Sequence, residues 1–294
     1  MIALVFPGQG SQQEQMALPW RDHPAMRRWA EASDLLGWDV AALGTDADAA
    51  TLREPRNCQI ALYVHHVVLL NAWREAGAEE PAAVAGHSLG EYNALVAAGV
   101  LDFADALRLV EVRASATQRA AEDAPGTMLA CLGFEVAEVQ AACTAAGAYV
   151  ANDNAPGQIV VAGSSEALQR LRTALAEHTG KIRDVNVGAA YHSPHMRAAE
   201  APLADALATA ALADAEVPVI ANVDAAAHSA AVDWPDLLRR QVVSPVRWRE
   251  SVATLAQLGV QEVVELGASS VLTGMVKRID RSLARRTVSA PEDL

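Results

Sequence analysis

The chain has 294 residues, and its 36 acidic residues outnumber 23 Lys and Arg to give a formal net charge of −13. A chain this acidic lacks the basic surface that contact with phosphates requires, which argues against nucleic-acid binding. Hydrophobic residues make up 52% of the chain but aromatic residues only 4%. The length allows a large hydrophobic core, and an excess of Ala, Val and Leu suits helices packed on a parallel sheet, so an α/β fold is predicted.

The cysteines and the N-terminus bear on the cellular setting. Cys58, Cys131 and Cys143 are too few, and lack the spacing, for a disulfide framework or a zinc site, so we expect no bound metal. The chain begins directly with an apolar run and lacks the basic leader of a signal peptide. No apolar run approaches the length of a membrane span. The expectation is a cytoplasmic protein with no membrane association.

The first 125 residues predict strands and helices in alternation. An apolar strand over 2–6 ends at Pro7-Gly8-Gln9-Gly10, and a strand over 82–85 ends at Gly86-His87-Ser88-Leu89-Gly90. The helices predicted from the 3.6-residue periodicity cover 53–77, 91–98 and 103–121. Strands that each end in a turn and alternate with helices are typical of a parallel sheet.

After Pro125-Gly126 the predicted segments are shorter and follow the order strand, helix, strand, strand, helix, strand. Their bounds are 127–133, 135–146, 148–152, 158–162, 165–178 and 181–187, with a turn over 153–157. This order is the signature of a ferredoxin-like unit. We predict a small ferredoxin-like βαββαβ subdomain over 126–188. It is inserted into a large α/β-hydrolase-like domain that has a parallel sheet. This large domain comprises 1–125 and 189–294.

The last part of the chain returns to the pattern of the first. The predicted elements are a helix over 196–211, a strand over 217–222, two further helices, a strand over 262–266 and a closing helix over 271–279. There are no internal repeats. The Ala-rich stretches keep an apolar periodicity, which indicates helices and not low-complexity disorder.

The strongest local signal is Gly86-His87-Ser88-Leu89-Gly90, a G-x-S-x-G match between a predicted strand and a predicted helix. A serine at such a sharp turn exposes its hydroxyl, and the helix N-terminus beside it favours developing negative charge. An ordinary glycine turn is the alternative. The flanking strand and helix favour a nucleophilic Ser88.

A nucleophilic serine needs a base. His87 adjoins Ser88 and is expected to point away from it, and most other histidines lie in polar or mid-helix contexts. His192 in Tyr191-His192-Ser193-Pro194-His195 follows a strand end, where catalytic loops gather. The residues alone leave a structural role for His192 equally open.

Several motifs together carry a resemblance that spans essentially the whole chain. They include Phe6-Pro7-Gly8-Gln9-Gly10-Ser11-Gln12, Gly86-His87-Ser88-Leu89-Gly90-Glu91, Ala190-Tyr191-His192-Ser193 and Ser244-Pro245-Val246-Arg247-Trp248. In this order and spacing they resemble the malonyl-CoA:acyl-carrier-protein transacylases and the acyltransferase domains of polyketide synthases, which include discrete trans-acting acyltransferases. The combination is far more specific than any one motif.

The resemblance implies the catalytic roles. Ser88 is then the nucleophile and His192 the general base, which the backbone carbonyl of Gln241 orients in place of a carboxylate. The backbone N–H groups of Gln9 and Leu89 form the oxyanion hole.

The resemblance also bears on the acyl group. An arginine on a helix such as 103–121 is more often solvated than not, but the resemblance implies that Arg113 pairs with the free carboxylate of malonate through its planar fork. Tyr191 stands where malonyl-selective relatives carry Phe and methylmalonyl-selective relatives carry Ser. Its ring then leaves little room for a branch, with simple core packing as the alternative.

Other positions depart from the family pattern or support it. Thr117 replaces a methionine that lines the acyl pocket, which predicts a more polar pocket. Cys58-Gln59-Ile60-Ala61 and Gly267-Ala268-Ser269-Ser270 also differ from the usual motifs and leave the acyl donor open. Asn154 is expected to help to order the loop near the catalytic histidine, a role that Asn152 could share.

The predicted function is that of a serine acyltransferase of the S-malonyltransferase type. It moves a malonyl-type group from coenzyme A to the phosphopantetheine thiol of an acyl carrier protein for fatty acid or polyketide synthesis. The coenzyme A thioester is a substrate, no cofactor is bound, and a monomer is expected. An alternative is a trans-acting acyltransferase that uses a substituted or carrier-bound malonyl donor. Its chemistry would be the same as that of the predicted enzyme, and only the donor and the partners would differ.

Three further alternatives differ in class. An editing acyl-thioester hydrolase needs water access and usually lacks Arg113. A non-catalytic subunit that docks carrier proteins has no need of both Ser88 and His192. An ordinary esterase orders Ser, Asp and His along the chain, and its acid could only be Asp153 or Asp184, which both fall in the inserted subdomain.

Overall fold

The computed structural model describes all 294 residues. The strands are β1 (Ile2–Phe6), β2 (Ala83–Gly86), β3 (Thr127–Leu132), β4 (Tyr149–Ala155), β5 (Gln158–Gly163), β6 (Lys181–Val185), β7 (Val219–Ile220), β8 (Ala227–His228), β9 (Glu262–Leu266) and β10 (Ala284–Val288). The helices are α1 (Arg27–Leu36), α2 (Ala41–Thr45), α3 (Pro55–Glu75), α4 (Gly90–Ala97), α5 (Phe103–Asp123), α6 (Val136–Ala146), α7 (Ser165–Ala174), α8 (Glu200–Leu207), α9 (Trp234–Gln241), α10 (Trp248–Gln257) and α11 (Val271–Ile279). None of these helices combines the length and the apolar character needed to cross a bilayer.

The larger sheet has six strands in the order β10-β9-β1-β2-β7-β8, and only the short edge strand β8 is antiparallel. All five residues of β1 are buried, as expected of a strand covered by helices on both faces. The register aligns Phe6 with Gly86 at the carboxyl ends of β1 and β2. Because parallel strands end at the same edge of a sheet, the loops that carry Gln9 and Ser88 lie side by side.

The second sheet is antiparallel, with the order β4-β5-β3-β6. Together with α6 and α7 it encloses a separate core of 15 buried residues. The pairing of β4 is irregular between Val150 and Asn152 and again between Asp153 and Ala155. Irregularities of this kind re-aim side chains next to active sites.

Backbone hydrogen bonds join the second sheet to the rest of the molecule. Val246 N donates to Ala151 O and Asp153 N donates to Val246 O, both at 2.9 Å. The Arg249 guanidinium donates to the Asp153 carboxylate at 2.6 Å. β4 is therefore fixed against the segment just before α10.

The coarse α/β prediction, with a parallel sheet and a second small sheet, is confirmed, but several bounds differ. β4 continues through Ala155, where the sequence predicts a turn over 153–157, because Asp153 pairs with Ile159 and Ala155 with Gln158 across the hairpin. The predicted helix over 165–178 ends at Ala174. The predicted strand over 217–222 is only two residues long, since the Asn222 N–H is taken by the Glu91 side chain.

The predicted helix over 196–211 is a 3₁₀ segment, Pro194–Ala199, followed by the short helix α8. Thr209 N and Ala210 N donate three residues back, to Ala206 O and Leu207 O, and Ala211 N donates to the Asp105 carboxylate, so the regular helix ends before 211. Four elements are not predicted at all, namely α1, α2, β8 and β10. β10 carries no apolar alternation, and it exists because it pairs with β9 at the edge of the larger sheet.

Candidate active site

Ser88 occupies the turn between β2 and α4 with a backbone φ of 55°. A Cβ on Gly86 would lie 1.9 Å from the carbonyl carbon of Gly90, and a Cβ on Gly90 would lie 2.0 Å from Phe6 O. Only glycine at both positions allows this close approach. The strand, sharp turn and helix predicted for the motif are confirmed, and the turn holds Ser88 in the left-handed region that non-glycine residues rarely adopt.

Ser88 and His192 are in direct contact. Ser88 Oγ lies 2.7 Å from His192 Nε2, and His192 Nδ1 lies 2.9 Å from the backbone carbonyl of Gln241. A carbonyl only accepts, so Nδ1 carries the proton and Nε2 is free to accept from the serine hydroxyl. The arrangement is that of a nucleophile with an oriented base, in which a main-chain carbonyl takes the place of a carboxylate.

The environment of His192 keeps the imidazole neutral. Burial and, after it, the positive charge of Arg113 lower the pKa of His192 to about 3. The hydrogen bond to Gln241 O acts in the opposite direction. At neutral pH the ring is therefore unprotonated and can take a proton from Ser88.

Arg113 is buried on α5, and its guanidinium reaches the Ser88 hydroxyl. One of its Nη atoms donates to Ser88 Oγ at 3.0 Å and to Gln241 Oε1 at 3.1 Å, and the other donates to Gln59 Oε1. These partners are all neutral, and the Arg113 Nε and Gln59 Nε2 groups are buried without any partner. A buried guanidinium with spare donors and no bonded anion is suited to a carboxylate.

A cavity of about 170 Å³ opens above Ser88, and its walls come from both sheets. From the larger sheet and its helices it is lined by Gln9, Ser88, Leu89, Arg113, Tyr191 and His192, and by the apolar residues Val271, Leu272 and Met275 of α11. From the second sheet and the segment after it come Met128, Asn152, Asn154, Val160, Val185 and Val187. The base of the cavity is thus polar and the opposite wall largely apolar.

The two residues predicted for the oxyanion hole share the cavity with Ser88. Gln9 and Leu89 both line the cavity. Neither backbone N–H group is among the donors paired with another backbone group. Leu89 directly precedes α4, where the helix dipole adds a favourable field for negative charge. The site therefore offers two free donors beside Ser88.

Tyr191 lines the same cavity next to His192. Its hydroxyl is buried and has no hydrogen-bond partner in the protein. Burial raises the pKa of Tyr191, and the charge of Arg113 opposes this shift. The ring thus narrows the cavity close to the guanidinium.

Two residues, Thr117 and Asn154, lie differently from the sequence expectation. Thr117 is buried but does not line the cavity, and its hydroxyl donates to Arg113 O at 2.8 Å, so it adds no polar group to the pocket. Asn154 contacts His87, with Oδ1 2.8 Å from His87 Nε2, and not His192. His87 itself lines the cavity, with its ring held by Asn154 and no hydrogen bond to Ser88 Oγ.

The remaining candidates for acid and base are occupied elsewhere. Asp153 is bound to Arg249 and Asp184 to Arg172. His195 Nδ1 lies 3.2 Å from Ala124 O. None of these residues contacts the Ser88–His192 pair.

Sequence reasoning missed two residues that contact the nucleophile turn or its supports. Asn222, just past β7, accepts from Ser88 N at 2.7 Å and donates to Gly86 O at 2.6 Å. Glu91 is buried in the first turn of α4 and binds both Asn222 N and Gln241 Nε2. The only sequence signal was the position of Glu91 directly after the G-x-S-x-G motif.

This fold and this site are those of an acyl-transferring enzyme. The family described as acyl transferase domain matches residues 3–291, so the chain belongs to the acyl transferase family.

Its relatives are more particular. The chain is 40% identical over 300 residues to the malonyl CoA-acyl carrier protein transacylase of Salmonella typhimurium. The alignment covers 100% of this chain and 97% of that protein. It is 37% identical over 302 residues to the enzyme of the same name from Bacillus subtilis, with 100% and 95% covered.

Solved structures agree with these relatives. The acyl-carrier-protein S-malonyltransferase of Burkholderia pseudomallei superposes with a TM-score of 0.96 at 38% identity, and covers 99% of this chain and 97% of that one. A malonyl-transacylase in complex with its type II PKS acyl carrier protein gives a TM-score of 0.95 at 36% identity, with 98% and 96% covered.

Proposed function

We propose that this chain is a malonyl-CoA:acyl-carrier-protein transacylase. It moves a malonyl group from coenzyme A to the phosphopantetheine thiol of an acyl carrier protein, for fatty acid or polyketide synthesis. The observation that carries the proposal is the position of Arg113 beside the Ser88–His192 pair in one cavity. A nucleophile, its base and an anion-binding group then meet one acyl group that ends in a carboxylate. The malonyl transacylases to which the chain is similar over its full length support the same function.

In the first half of the reaction Ser88 Oγ attacks the thioester carbonyl carbon while His192 Nε2 takes the hydroxyl proton. The carbon–sulfur bond then breaks, and the proton returns from His192 to the departing sulfur of coenzyme A. The malonyl group remains as an ester on Ser88. The Gln241 carbonyl, 2.9 Å from Nδ1, stabilises the imidazolium that forms between these steps.

The second half reverses the roles of sulfur and oxygen. His192 takes the proton of the carrier's phosphopantetheine thiol, and the sulfur attacks the ester carbonyl. The carbon–oxygen bond breaks, and Ser88 regains its proton from His192. The reaction exchanges one nucleophile for another at a single acyl carbon without oxidation or reduction, so coenzyme A enters as a substrate and no bound cofactor is required.

The oxyanion of each tetrahedral intermediate is held by the backbone N–H groups of Gln9 and Leu89. Their freedom from backbone partners and their position beside Ser88 support this role. Removal of one such donor from the oxyanion hole of a serine protease costs about 2.7–4 kcal/mol of transition-state stabilisation. Charge develops at the same place in both halves, so one pair of donors serves both.

Arg113 binds the malonyl carboxylate throughout. Arg113 lines the cavity and keeps an unpaired Nε, while Gln59 accepts from its Nη1 and so holds the guanidinium in place. The ring of Tyr191 beside them favours an unbranched malonyl group. Thr117 supports the turn of α5 that carries Arg113 through its bond to Arg113 O, and Asn154 holds His87 in the cavity wall.

We also propose the finer architecture. The order β4-β5-β3-β6, with α6 and α7 and a core of their own, is that of a ferredoxin-like subdomain over 126–188. The parallel sheet, with its serine at a strand–turn–helix junction, supports an α/β-hydrolase-like domain formed by 1–125 and 189–294.

Intact-protein mass spectrometry tests the proposal. Wild-type protein incubated with malonyl-CoA should gain one malonyl mass on Ser88 and should lose it when a phosphopantetheinylated acyl carrier protein is added, with the same mass appearing on the carrier. Apo carrier, which lacks the thiol, is the control and should stay unloaded. Release of free malonate in place of carrier loading would contradict transfer and would indicate a hydrolase.

A further inference from the structure

Glu91 is a buried ionisable group that the mechanism above leaves unused. It is 1% exposed, lies three residues after the nucleophile, and does not line the cavity. A buried carboxylate is costly unless it is paired or hydrogen-bonded. A carboxylate buried beside the active site is therefore expected to have a specific role.

Both oxygens of Glu91 act as acceptors. Oε1 accepts from Asn222 N at 2.6 Å, and Oε2 accepts from Gln241 Nε2. A backbone N–H and an amide NH₂ are donors only, so the contacts match the ionised carboxylate and offer nothing to a protonated one. Burial raises the pKa of Glu91 to about 8, although these two donors and the charge of Arg113 act in the opposite direction. Both oxygens nevertheless face donors alone, which is the arrangement that an ionised carboxylate requires.

The partners of Glu91 hold the two halves of the catalytic pair. Asn222 clamps the nucleophile turn through Ser88 N at 2.7 Å and Gly86 O at 2.6 Å. Gln241 donates from Nε2 to Ser88 O at 2.9 Å, and its backbone carbonyl holds His192 Nδ1. Glu91 thus binds both residues that hold the catalytic pair, although Asn222 is 131 and Gln241 150 positions away.

The orientation of the Gln241 amide is set by the same contacts. Its oxygen faces Arg113, which needs an acceptor, and its nitrogen faces Glu91, which needs a donor. Both amide hydrogens are used, one toward Glu91 and one toward Ser88 O.

We propose that Glu91 is a positioning residue for acyl transfer, whose carboxylate fixes Asn222 and Gln241 and thereby sets the distance and angle between Ser88 and His192. The proposal rests on the function proposed above. It predicts an effect on the chemical steps and not on substrate binding, because Glu91 touches neither the cavity nor the reacting atoms.

Glu91→Gln is the decisive variant, since it keeps the size of the side chain but places an NH₂ group against a donor. We expect kcat for malonyl transfer to fall about 10²-fold, the effect of a small misplacement of reacting groups, with KM for malonyl-CoA within about twofold of wild type. Tyr63→Phe is the control, because Tyr63 is a fully buried polar side chain that donates to Phe103 O at 2.9 Å and does not line the cavity. It should lose stability while kcat stays near wild type.

A double-mutant cycle with Gln241→Met separates positioning from general support and serves if Glu91→Gln folds poorly. Gln241→Met keeps the backbone carbonyl that holds His192 but removes the amide, so it alone should lower kcat. The Glu91→Gln/Gln241→Met protein should be no slower than the slower single variant. Independent, multiplicative losses, or a Glu91→Gln protein with normal kcat, would overturn the proposal. Wild-type loading of malonate is measured in parallel, so a failure of the proposed function is recognised separately.

Discussion

Ser88 and His192 share a left-handed backbone conformation, each with a φ of 55°, and their side chains meet at 2.7 Å. Such backbone costs of the order of 1–3 kcal/mol per residue and persists only where the surroundings hold it in place. At Ser88 the surroundings are Asn222, which binds the backbone N–H, and Gln241, which binds the carbonyl. The strained residues and their supports coincide with the proposed chemistry.

Ser88→Ala should abolish acyl loading, because no other side chain in the cavity is placed next to His192 as a nucleophile. Intact-mass measurement after incubation with malonyl-CoA provides the test. Ser115→Ala, on α5 outside the cavity lining, is the control and should load normally. A stable malonyl adduct on the Ser88→Ala protein would show that the nucleophile lies elsewhere.

His192→Ala should keep the fold and lower the rate of transfer by about 10²–10⁴, the usual contribution of a general base. The matched variant is His195→Ala, three residues further on. His195 contacts Ala124 O and not Ser88, so its loss should be mild. The rates of malonyl transfer by the two variants are measured under single-turnover conditions, and thermal unfolding checks that both are folded. Equal rates would contradict the assignment of His192 as the general base.

Arg113→Ala should change acyl selectivity. The malonyl carboxylate loses its charged partner, whereas an acetyl group loses nothing. The ratio of kcat/KM for malonyl-CoA to kcat/KM for acetyl-CoA should therefore fall roughly 30- to 1000-fold, which corresponds to about 2–4 kcal/mol of lost transition-state stabilisation. Arg113→Lys should restore only part of the ratio, because an ammonium does not reproduce the planar fork.

The control for this change is Arg108→Ala on the same helix. Arg108 is exposed and pairs with Asp105 at 2.8 Å, so it should leave the ratio unaltered. An unchanged malonyl-to-acetyl ratio in the Arg113→Ala protein would remove the carboxylate-binding role and would strengthen the hydrolase alternative.

Tyr191→Ser should widen the cavity beside Arg113 and admit a branched donor. We expect kcat/KM for methylmalonyl-CoA to rise relative to malonyl-CoA by about 10-fold, the order expected when one methyl group gains room in a pocket. Tyr149→Ser, at a 40% exposed tyrosine on β4, is the comparison. If the Tyr191→Ser protein discriminates between malonyl-CoA and methylmalonyl-CoA as wild type does, the Tyr191 ring serves packing and not selectivity.

Acid should destabilise the protein through the buried histidines of α3. Burial lowers the pKa of His65 to about 3 and that of His66 to about 4, from 6.5. At pH values below 6.5 and above these folded-state pKa values, the histidines bind protons in the unfolded chain but not in the folded one. The free energy of unfolding therefore falls as the pH drops below 6.5. His65→Leu should reduce this slope by about 1.4 kcal/mol per pH unit near pH 5. Urea unfolding at several pH values measures it, and an identical slope in both proteins would contradict the prediction.

The parts of the site that could be predicted are those encoded by local sequence. The turn around Ser88 follows from adjacent glycines between a strand and a helix, and the edge position of Gln9 follows from parallel strand ends. Glu91 and Asn222 could not be predicted as partners, because 131 positions separate them and only the pairing of β7 with β2, the strand that leads into α4, brings them together.

Individual side-chain directions were also beyond the sequence. The Thr117 hydroxyl turns back to its own helix and leaves the pocket, a choice that backbone carbonyls offer to any helical threonine. Asn154 faces His87 because β4 is irregular at that point, and such irregularities depend on the pairing of neighbouring strands. Strand β10 likewise exists only through its pairing with β9.

The origin of the cavity walls from two sheets with separate cores has an evolutionary consequence. Ser88, His192, Gln241, Asn222 and Glu91 all belong to the part of the chain outside the second sheet, whereas Met128, Val160 and Val185 belong to the second sheet. Substitutions in that wall can alter the shape offered to the acyl chain while the reacting atoms stay in register. The architecture lets descendants of one ancestor diversify in the acyl groups they accept without having to reinvent the transfer step.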